Sequence, residues 1–485
     1  MDRIGHFSII AHDMGPILRY ISIATAVPLL IAVIYREWDM LLPMASVPIA
    51  FFVLGSLLML IPRKEREPPL STALIAVALI WLIAAIIGAL PFTLGTGMPY
   101  LDSVFESMSG WTDTGLTLVP SIDTTPRTLL FWRSLMQWFG GIGIVAFTVA
   151  LATRSGLSQF RLYRSEGRTE AFMPSVVATG IEMWKIYMVL TAGGIGLILL
   201  SGIGVWDSVN IALVAIATGG FSVRAEGIAF YNSQLLELLI IPVMIAGALP
   251  FKIYYYMYRN RRVSFFGDEQ ARLLFMIVAL GIVVITWDLI TLTGADPYTA
   301  LRQGLFMTVA AATSTGFQNA SPNEWASVTV LFITMLMVIG GSSGSTAGGI
   351  KLSRVVLAGR SLFWWFRRMF VSGKVLVPFK YEGKVIPKNV ADLEISRNML
   401  IIMLYFLIIF ASTILVMHLH PTGFDSEHVI FEVVSAMCNN GISTGFVSPD
   451  MAASAKIMFI WIMWIGRLEI IPILIFILGI LKRIE

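Results

Sequence analysis

The chain contains very little cysteine and few charged residues. Its single cysteine, Cys438, excludes an intrachain disulfide and a cysteine-rich metal site. Charged residues make up 13% of the 485 positions, whereas soluble domains carry about 25%. The chain is also 57% hydrophobic, and a compact soluble globule of that composition would expose a very large apolar surface. The composition therefore excludes a soluble globule and predicts an integral membrane protein.

Long apolar runs alternate with short polar segments. A spanning helix needs about 20 mostly apolar residues, and lipid offers the backbone no hydrogen-bond partners, which favours helices. The polar N-terminal segment lacks a cleavable signal pattern, so the first run is expected to be retained. Ten runs are predicted to span the membrane, with approximate bounds 16–35, 41–61, 70–91, 128–152, 175–201, 234–258, 270–293, 326–371 with an interruption, 393–418 and 454–481.

Basic residues are concentrated in alternate loops, which are predicted to be cytoplasmic by the positive-inside rule. Both termini then lie in the cytoplasm, and the net charge of +4 gives no indication of nucleic-acid binding. The basic loops contain Arg63, Lys64, Arg66, Arg154, Arg161, Arg164, Arg168, Lys252, Arg259, Arg261, Arg262, Arg272, the Lys and Arg residues from Lys351 to Arg397, Lys482 and Arg483. The opposite loops contain Arg36, Arg127, Arg224, Arg302 and Lys456.

Four of the outer connections contain an apolar segment of about half a span that ends in small polar residues and glycine. The segments read DSVFESMSGWTDTGL, DSVNIALVAIATGGF, QGLFMTVAAATSTGF and HVIFEVVSAMCNNGI. They align without gaps on Gly115, Gly220, Gly316 and Gly441. The fourth segment continues ISTGF, so Gly445 offers a second register. The first register is preferred because it also aligns the phenylalanines Phe105, Phe306 and Phe431.

Each segment is predicted to be a half-length helix followed by a glycine turn, placed between two spanning helices. About 10 residues rise roughly 15 Å, which is half a membrane, and non-helical backbone at that depth is tolerated where it lines a watery cavity. Four such turns around an axis would present carbonyl oxygens and the negative ends of helices to a cation. The alternative is four interfacial turns that shield helix ends.

The predicted fold is therefore an all-α membrane protein with four tandem helix–pore loop–helix repeats around a pseudo-fourfold pore, preceded by two extra transmembrane helices. The predicted units are 1–66 for the two extra helices and 67–168, 169–262, 263–390 and 391–485 for the four repeats.

The turn sequences TDTG, ATGG, TSTG and CNNG, in this order, resemble those of the Trk/Ktr/HKT superfamily of potassium transporters, and the two extra helices resemble its bacterial TrkH branch. The resemblance covers nearly the whole chain. It implies K⁺ as the transported ion, no covalently bound cofactor, and a degenerate selectivity filter that binds K⁺ mainly through backbone carbonyls. The filter residues it implies are Thr112, Asp113, Thr114, Gly115, Ala217, Thr218, Gly219, Gly220, Thr313, Ser314, Thr315, Gly316, Cys438, Asn439, Asn440 and Gly441.

The eighth run is interrupted by GGSSGSTAGGIK, whose five glycines and four hydroxyl residues disfavour a helix. Its partial matches to G-x-S-x-G and to a P-loop fail, because no strand precedes the segment and Ile350 separates Gly349 from Lys351. A flexible link and an intramembrane loop at 340–350 remain open. The family resemblance implies a gating loop, with the gating residues Gly340, Gly341, Ser342, Ser343, Gly344, Ser345, Thr346, Ala347, Gly348, Gly349 and Lys351.

Arg467 lies near the middle of a helix predicted from Ala455 to Lys482. An arginine at the membrane centre costs about 2.5–3.5 kcal/mol on insertion scales, so it is expected to face a cavity or a partner. Glu469 is two residues away and does not share its helix face. Arg467 is predicted to face the pore below the fourth turn and to raise the barrier to cations, and the resemblance implies the same gating role. The alternative is an ion pair with a carboxylate on another helix.

The outer loops are rich in carboxylates, which either concentrate cations at a pore mouth or only solvate the loops. Asp113 differs from the others because it lies within a glycine turn. The full set is Asp102, Glu106, Asp113, Asp123, Asp207, Glu226, Asp296, Glu324, Asp425 and Glu427.

The predicted function is K⁺ uptake across a bacterial inner membrane, without enzymatic activity. Proton- or sodium-coupled symport is an alternative, with Glu182, Glu237 and Glu469 as candidate coupling carboxylates. A membrane enzyme is disfavoured because the five histidines form no metal-spaced pair inside an apolar run. The resemblance implies a homodimer with a cytoplasmic nucleotide-binding ring of the TrkA type. This chain has no Rossmann fingerprint, so a nucleotide site would lie on that partner, and Lys351–Arg397 is a candidate docking surface.

Overall fold

Helices make up most of the structure. The computed structural model describes residues 3–62, 70–143, 176–260, 265–371, 377–381, 384–421 and 423–481. Within these residues the only strands, Phe379–Tyr381 and Lys384–Ile386, form one antiparallel pair in which Phe379 lies opposite Ile386. The predicted all-α class is confirmed.

The first helices pack closely through glycine. Helices α1 (Arg3–Ala24) and α2 (Val27–Ile34) form one apolar stretch, and α3 (Leu41–Met59) lies beside α1. A methyl group on Gly15 would lie 2.9 Å from the carbonyl oxygen of Gly55, and one on Gly55 would lie 2.8 Å from that of Gly15. Small residues permit such close approach between apolar helices, whose association in lipid depends on packing.

Four half-length helices follow, each between a first and a second helix. The first helices are α4 (Leu70–Gly88) with its extension α5 (Leu90–Thr96), α8 (Val176–Leu199), α12 (Glu269–Leu292) and α16 (Lys388–Leu419). The half-length helices are α6 (Tyr100–Trp111), α9 (Val205–Ala217), α13 (Pro297–Ala312) and α17 (Ser426–Met437). The second helices are α7 (Arg127–Ile142), α10 (Gln234–Ala248), α14 (Ser327–Ile339) and α18 (Ala453–Leu468). Every half-length helix is buried over its last turn, so its C-terminal end lies inside the bundle.

The second helices are interrupted. Helix α10 meets α11 (Phe251–Asn260) at 93°, and α18 meets α19 (Ile470–Leu481) at 114°. Helix α14 is followed by Gly340–Lys351, here called the inner loop, and then by α15 (Leu352–Met369). The runs 234–258 and 454–481, each predicted as one spanning helix, are therefore bent helix pairs. The chain turns at Pro250, which cannot continue a helical hydrogen-bond ladder, and at Glu469, which has a positive φ of 64°.

Six described helices are long and apolar enough to cross a membrane, or up to eight if each bent pair is one span. The predicted run 326–371 divides into α14 and α15, and neither is among these helices. The predicted boundary at 390/391 lies near the start of α16. Several predictions fall outside the described residues, namely the end of the run 128–152, the boundaries at 66/67, 168/169 and 262/263, and the basic residues Arg63, Lys64, Arg66, Arg154, Arg161, Arg164, Arg168, Arg261, Arg262, Lys482 and Arg483.

Candidate functional site

The four glycine turns, Thr112–Gly115, Ala217–Gly220, Thr313–Gly316 and Cys438–Gly441, share one backbone conformation. In each turn the amide of the third residue donates to a carbonyl five residues earlier, at 2.8, 3.0, 2.9 and 2.9 Å. The second residue and the glycine of each turn have positive φ. These φ values are 61° at Asp113, 62° at Thr218, 55° at Ser314, 49° at Asn439, 96° at Gly115, 86° at Gly220, 76° at Gly316 and 89° at Gly441. Alternating signs of φ turn successive carbonyls to the same side of the backbone.

The turns lie against one another in a closed ring. The glycine of each turn faces the third-residue carbonyl of the next turn, and the fourth turn returns to the first. A methyl group on Gly115 would lie 2.3 Å from Gly219 O, on Gly220 2.8 Å from Thr315 O, on Gly316 1.7 Å from Asn440 O and on Gly441 2.3 Å from Thr114 O. Only glycine fits at these positions, and the result is a ring of carbonyl oxygens suited to replacing the hydration shell of a cation.

Gly441, rather than Gly445, completes this ring. Gly445 also has a positive φ of 89°, but a methyl group there would meet nothing within 4 Å. The structure therefore has the register that aligns Phe431 with Phe105 and Phe306, and all three phenylalanines are buried.

Hydroxyl and amide side chains behind the ring hold the turns in place. The hydroxyls of the first and third residues are paired in two turns, at 2.8 Å between Thr112 and Thr114 and 2.7 Å between Thr313 and Thr315. Neighbouring turns are also joined directly, because Asn439 Nδ2 donates to Thr114 Oγ1 at 2.9 Å. Such contacts reduce the freedom of the ring to change diameter.

Two buried glutamates occupy equivalent places in the first and fourth half-length helices. Glu106 accepts a hydrogen bond from the backbone amide of Leu118 at 2.9 Å, and Glu432 accepts one from that of Thr444 at 2.7 Å. Each carboxylate therefore fixes the chain just after its glycine turn. Glu106 was predicted from the sequence only as one of the outer-loop carboxylates, and Glu432 was not predicted as a site residue.

Arg133 and Gln137 on α7 connect the first repeat to the second turn. Arg133 is 1% exposed, and its Nε lies 2.7 Å from Glu106 Oε1 while its Nη1 donates to Ser222 O at 2.7 Å. Gln137 accepts from the amide of Phe221 at 3.0 Å and donates to Gly219 O. Neither residue was predicted from the sequence as part of the site. The available signal was a charge and an amide within an apolar run.

The Arg133→Met variant is expected to be destabilised by about 3–5 kcal/mol, because it leaves the buried carboxylate of Glu106 without its counter-charge. The measurement is the melting temperature of the detergent-solubilised protein. Lys185→Met is the control, since the Lys185 side chain is 64% exposed and its pair with Glu182 is expected to contribute no measurable stability. Equal melting temperatures for Arg133→Met and the wild type would contradict the assigned role.

The inner loop lies directly against the end of the ring that we call its inner end. Thr346 Oγ1 lies 2.9 Å from Gly247 O and 3.2 Å from Thr218 Oγ1 in the second turn. A methyl group on Gly348 would lie 2.0 Å from Cys438 O, the first carbonyl of the fourth turn. The loop thus contacts the second and fourth turns together, and the flexible link considered from the sequence is a buried, hydrogen-bonded segment.

Arg467 connects the inner loop to the first repeat. Its Nη1 donates to Thr346 O at 3.0 Å, and its Nη2 donates to Gly141 O at 3.0 Å and also to Gly140 O. Carbonyls at a helix C-terminus are unsatisfied and partly negative, so the end of α7 stabilises the guanidinium. Nη1 also lies 3.9 Å from Asp113 Oδ2. These contacts place the charge beside the first turn and the inner loop, while the preceding residue, Gly466, lies against the fourth turn, where a methyl group would be 2.9 Å from Asn439 Oδ1.

A cavity of about 350 Å³ opens at the opposite, outer end of the ring. All four turn glycines reach this cavity, together with Arg133, Arg224, Glu226 and Gln318. The ring of carbonyls therefore separates the outer cavity from the inner loop.

Several of the outer carboxylates are neutralised by basic partners. Lys456 Nζ lies 2.7 Å from Asp102 Oδ1, and Arg224 Nη2 lies 3.0 Å from Asp207 Oδ2. With Glu106 paired to Arg133 as well, the negative field that the sequence suggested at the mouth is reduced.

The three carboxylates considered for ion coupling are also paired. Glu182 contacts Lys185 at 2.8 Å, and Glu237 contacts Arg302 at 2.7 Å. Glu469 contacts Arg354. None of the three is an unpaired charge.

Membrane-length helices surround a closed ring of carbonyl-bearing turns, with a cavity at one end and a basic residue at the other. This architecture defines a multi-pass membrane protein of the cation-transporter class. Residues 44–482 match the family model TrkH, described as cation transport protein. The chain belongs to this family, and it is a transporter rather than an enzyme.

The similarity extends over nearly the full length of several relatives. An uncharacterized cation transporter of Methanocaldococcus jannaschii is 33% identical, over 96% of this chain and 94% of the relative. The Trk system potassium uptake protein TrkH of Halomonas elongata is 28% identical, over 95% and 96%. The crystal structure of the potassium transporter TrkH from Vibrio parahaemolyticus aligns with a TM-score of 0.84 and 25% identity, covering 97% of this chain and 98% of that one.

Proposed function

We propose that this chain takes up K⁺ across a bacterial cytoplasmic membrane through a channel-like pore, with the four glycine turns as its selectivity filter. The closure of the ring carries the proposal, because it brings the third-residue carbonyls of all four turns to one place. Two of the relatives are a potassium uptake protein and a potassium transporter, which supports K⁺ as the ion. K⁺ would bind mainly to the backbone oxygens of Thr112–Gly115, Ala217–Gly220, Thr313–Gly316 and Cys438–Gly441.

Flux through purified protein in proteoliposomes tests the transport activity. K⁺, Rb⁺ and Na⁺ are compared with and without a proton gradient. We expect K⁺ and Rb⁺ to exchange down their own gradients, and Na⁺ to move more slowly. Flux of none of these ions through folded protein would contradict the proposal, and an obligatory proton gradient would favour coupled symport instead.

In this proposal the inner loop and Arg467 form the gate. The loop lies across the inner end of the ring, and its hydroxyl and carbonyl groups contact the second turn and Arg467. A fixed positive charge at this place opposes the passage of cations. Glycine provides the backbone freedom for the loop to move, since Gly340, Gly344 and Gly349 all have positive φ.

Replacing Arg467 by glutamine is expected to raise Rb⁺ flux by about tenfold or more, because a fixed positive charge that repels cations is removed from the path. The measurement is radioactive Rb⁺ uptake into proteoliposomes, normalised to folded protein. Arg360→Gln is the matched control, because Arg360 pairs with Glu269 away from the ring. Unchanged or reduced flux in a folded Arg467→Gln protein would contradict the gating role.

We also propose that the protein works as a homodimer with both termini in the cytoplasm, bound to a cytoplasmic ring of TrkA-type nucleotide-binding subunits. The potassium uptake relative is named as part of a Trk system, which supports a partner.

Helix α15 supports an intersubunit contact, because it exposes large apolar side chains beside basic ones. These are Leu362, Phe363, Trp365, Phe366, Met369, Arg367 and Arg368. Light scattering of the detergent-solubilised protein tests the dimer, and a monomer mass would contradict it.

A further inference from the structure

Asp113 carries a deeply buried carboxylate that has no hydrogen-bond donor. Its side chain is 1% exposed, and neither Oδ1 nor Oδ2 has a hydrogen-bond partner among the described residues. A buried carboxylate without hydrogen-bond partners is costly, and an ionisable residue within a membrane protein points to a functional site. Asp113 is therefore expected to bind a ligand, because the contacts seen in the structure give its carboxylate no hydrogen bond.

Two cationic side chains interact electrostatically with this carboxylate. Arg467 Nη1 lies 3.9 Å from Asp113 Oδ2, which is ion-pair distance but too long for a hydrogen bond. The hydrogen bonds of the guanidinium go instead to carbonyl oxygens of the inner loop and of α7. The charge of Lys351, at the end of the inner loop, also acts on Asp113. Both cations belong to the proposed gate.

The other three turns place neutral residues at the same position. Thr218 bonds to Thr346 of the inner loop, and Asn439 bonds to the first turn. Ser314 is the third of these residues. In the second and fourth turns this side chain therefore contacts the inner loop or a neighbouring turn, and only the first turn has a charge at this position. A methyl group on Gly219 would lie 2.4 Å from Asp113 Oδ1, so the carboxylate lies between the first and second turns.

We propose that Asp113 is a cation-binding carboxylate at the inner end of the filter, faced by Arg467 in the closed gate and by the permeating cation when the inner loop and Arg467 withdraw. This inference rests on the proposed function. Withdrawal of Arg467 leaves the negative charge of the carboxylate uncompensated. An alkali cation that leaves the ring supplies the missing positive charge, and it prefers oxygen ligands such as a carboxylate. In the closed gate Arg467 thus supplies the positive charge that the transported ion supplies to Asp113 in the open gate.

A purely positioning role is the competing explanation, in which Asp113 only holds Arg467 in place. The two explanations differ when Arg467 has been removed. A positioning residue then loses its purpose, whereas a cation-binding carboxylate becomes more accessible.

The test uses the full-length protein in proteoliposomes, with Ba²⁺ as the probe on both sides of the membrane. Ba²⁺ is close to K⁺ in size and carries twice the charge, so a carboxylate in the path strengthens its block of Rb⁺ flux. In the Arg467→Gln background, Asp113→Asn is expected to raise the half-inhibitory Ba²⁺ concentration by about tenfold or more, because a full charge within several ångströms of the ion is lost. Asp113→Glu keeps the charge and is expected to retain strong block.

The backbone of the turn accepts these substitutions. Asparagine and serine already occupy the same positive-φ position in the fourth and third turns, as Asn439 and Ser314, so Asp113→Ser serves if Asp113→Asn does not fold. Asp39→Asn is the control for loss of one carboxylate, because Asp39 is exposed and lies before α3, in the N-terminal helices.

The outcomes separate the two proposals. If Arg467→Gln does not raise Rb⁺ flux, the gating proposal fails and this inference fails with it. If Arg467→Gln raises flux, but adding Asp113→Asn or Asp113→Ser changes Ba²⁺ block no more than the Asp39→Asn control does, the gate stands and the cation site is overturned. The cation site is supported if Ba²⁺ block is weaker in the neutral variants Asp113→Asn and Asp113→Ser but not in Asp113→Glu or Asp39→Asn.

Discussion

Replacing Gly316 by alanine is expected to reduce Rb⁺ uptake by at least about tenfold, and this is the largest loss that the structure predicts for a single methyl group. The new Cβ would lie 1.7 Å from Asn440 O, and Gly316 has a φ of 76° that alanine rarely adopts. The third and fourth turns cannot move apart freely, because Asn440 Nδ2 donates a hydrogen bond to Ala311 O behind the ring. Overpacking of this kind costs about 1–3 kcal/mol or more, and the strain falls on the carbonyls that would bind the ion.

Uptake into cells and into proteoliposomes measures this effect, together with the elution profile of the purified protein. Gly196→Ala is the matched control, because Gly196 lies within α8 and a methyl group there would meet nothing within 4 Å. The control is expected to behave as the wild type. Normal uptake by Gly316→Ala would mean that the ring is not the path of the ion.

The turn sequences predicted the local part of this site well. Half-length apolar segments ending in glycine indicate a helix and a break, and the gapless alignment indicated four equivalent units. The structure shows the same conformation in all four turns. Sequence also distinguished the register of the fourth turn, because Phe431 lies on the buried face of its helix as Phe105 and Phe306 do.

The parts that could not be predicted depend on distant contacts. Glu469 has positive φ at a bend of 114°, and no local pattern in WIGRLEII marks that bend. Pro250 was a usable signal for the other bend, but its run was predicted as one spanning helix. Arg133 looked like an isolated charge within an apolar run, because its partner Glu106 is 27 residues away in sequence.

Two of the distant contacts satisfy backbone carbonyls at the ends of second helices. A helix that ends inside the bundle exposes carbonyls that need donors. At the end of α7 the guanidinium of Arg467 donates to Gly141 O, and at the end of α10 the amide of Ser342 donates to Ala248 O at 3.1 Å. Arg467 and the inner loop thus satisfy these helix ends when they lie against the ring, and the same contacts would stabilise the closed state of the proposed gate.

Replacing Gly348 by alanine is expected to have the opposite effect to Gly316→Ala, and to raise Rb⁺ flux. The new Cβ would lie 2.0 Å from Cys438 O and 3.2 Å from Asn439 Cβ, so the inner loop can no longer lie against the fourth turn. The clash arises in the arrangement that the structure shows, which the proposed function takes as the closed gate. A cost of about 1–3 kcal/mol shifts the balance towards the open gate by about tenfold for each 1.4 kcal/mol.

Gly359→Ala is the control for this variant, because Gly359 lies on α15 just after the inner loop and a methyl group there would meet nothing within 4 Å. Rb⁺ flux is measured for Gly348→Ala, Arg467→Gln and the double variant. If both residues act by closing the same gate, the fold-increase in Rb⁺ flux of the double variant over the wild type should be much smaller than the product of the two single fold-increases. The reason is that a gate already opened by one substitution cannot be opened again by the other. Reduced flux in folded Gly348→Ala would show that the contact with Cys438 supports the filter and does not close it.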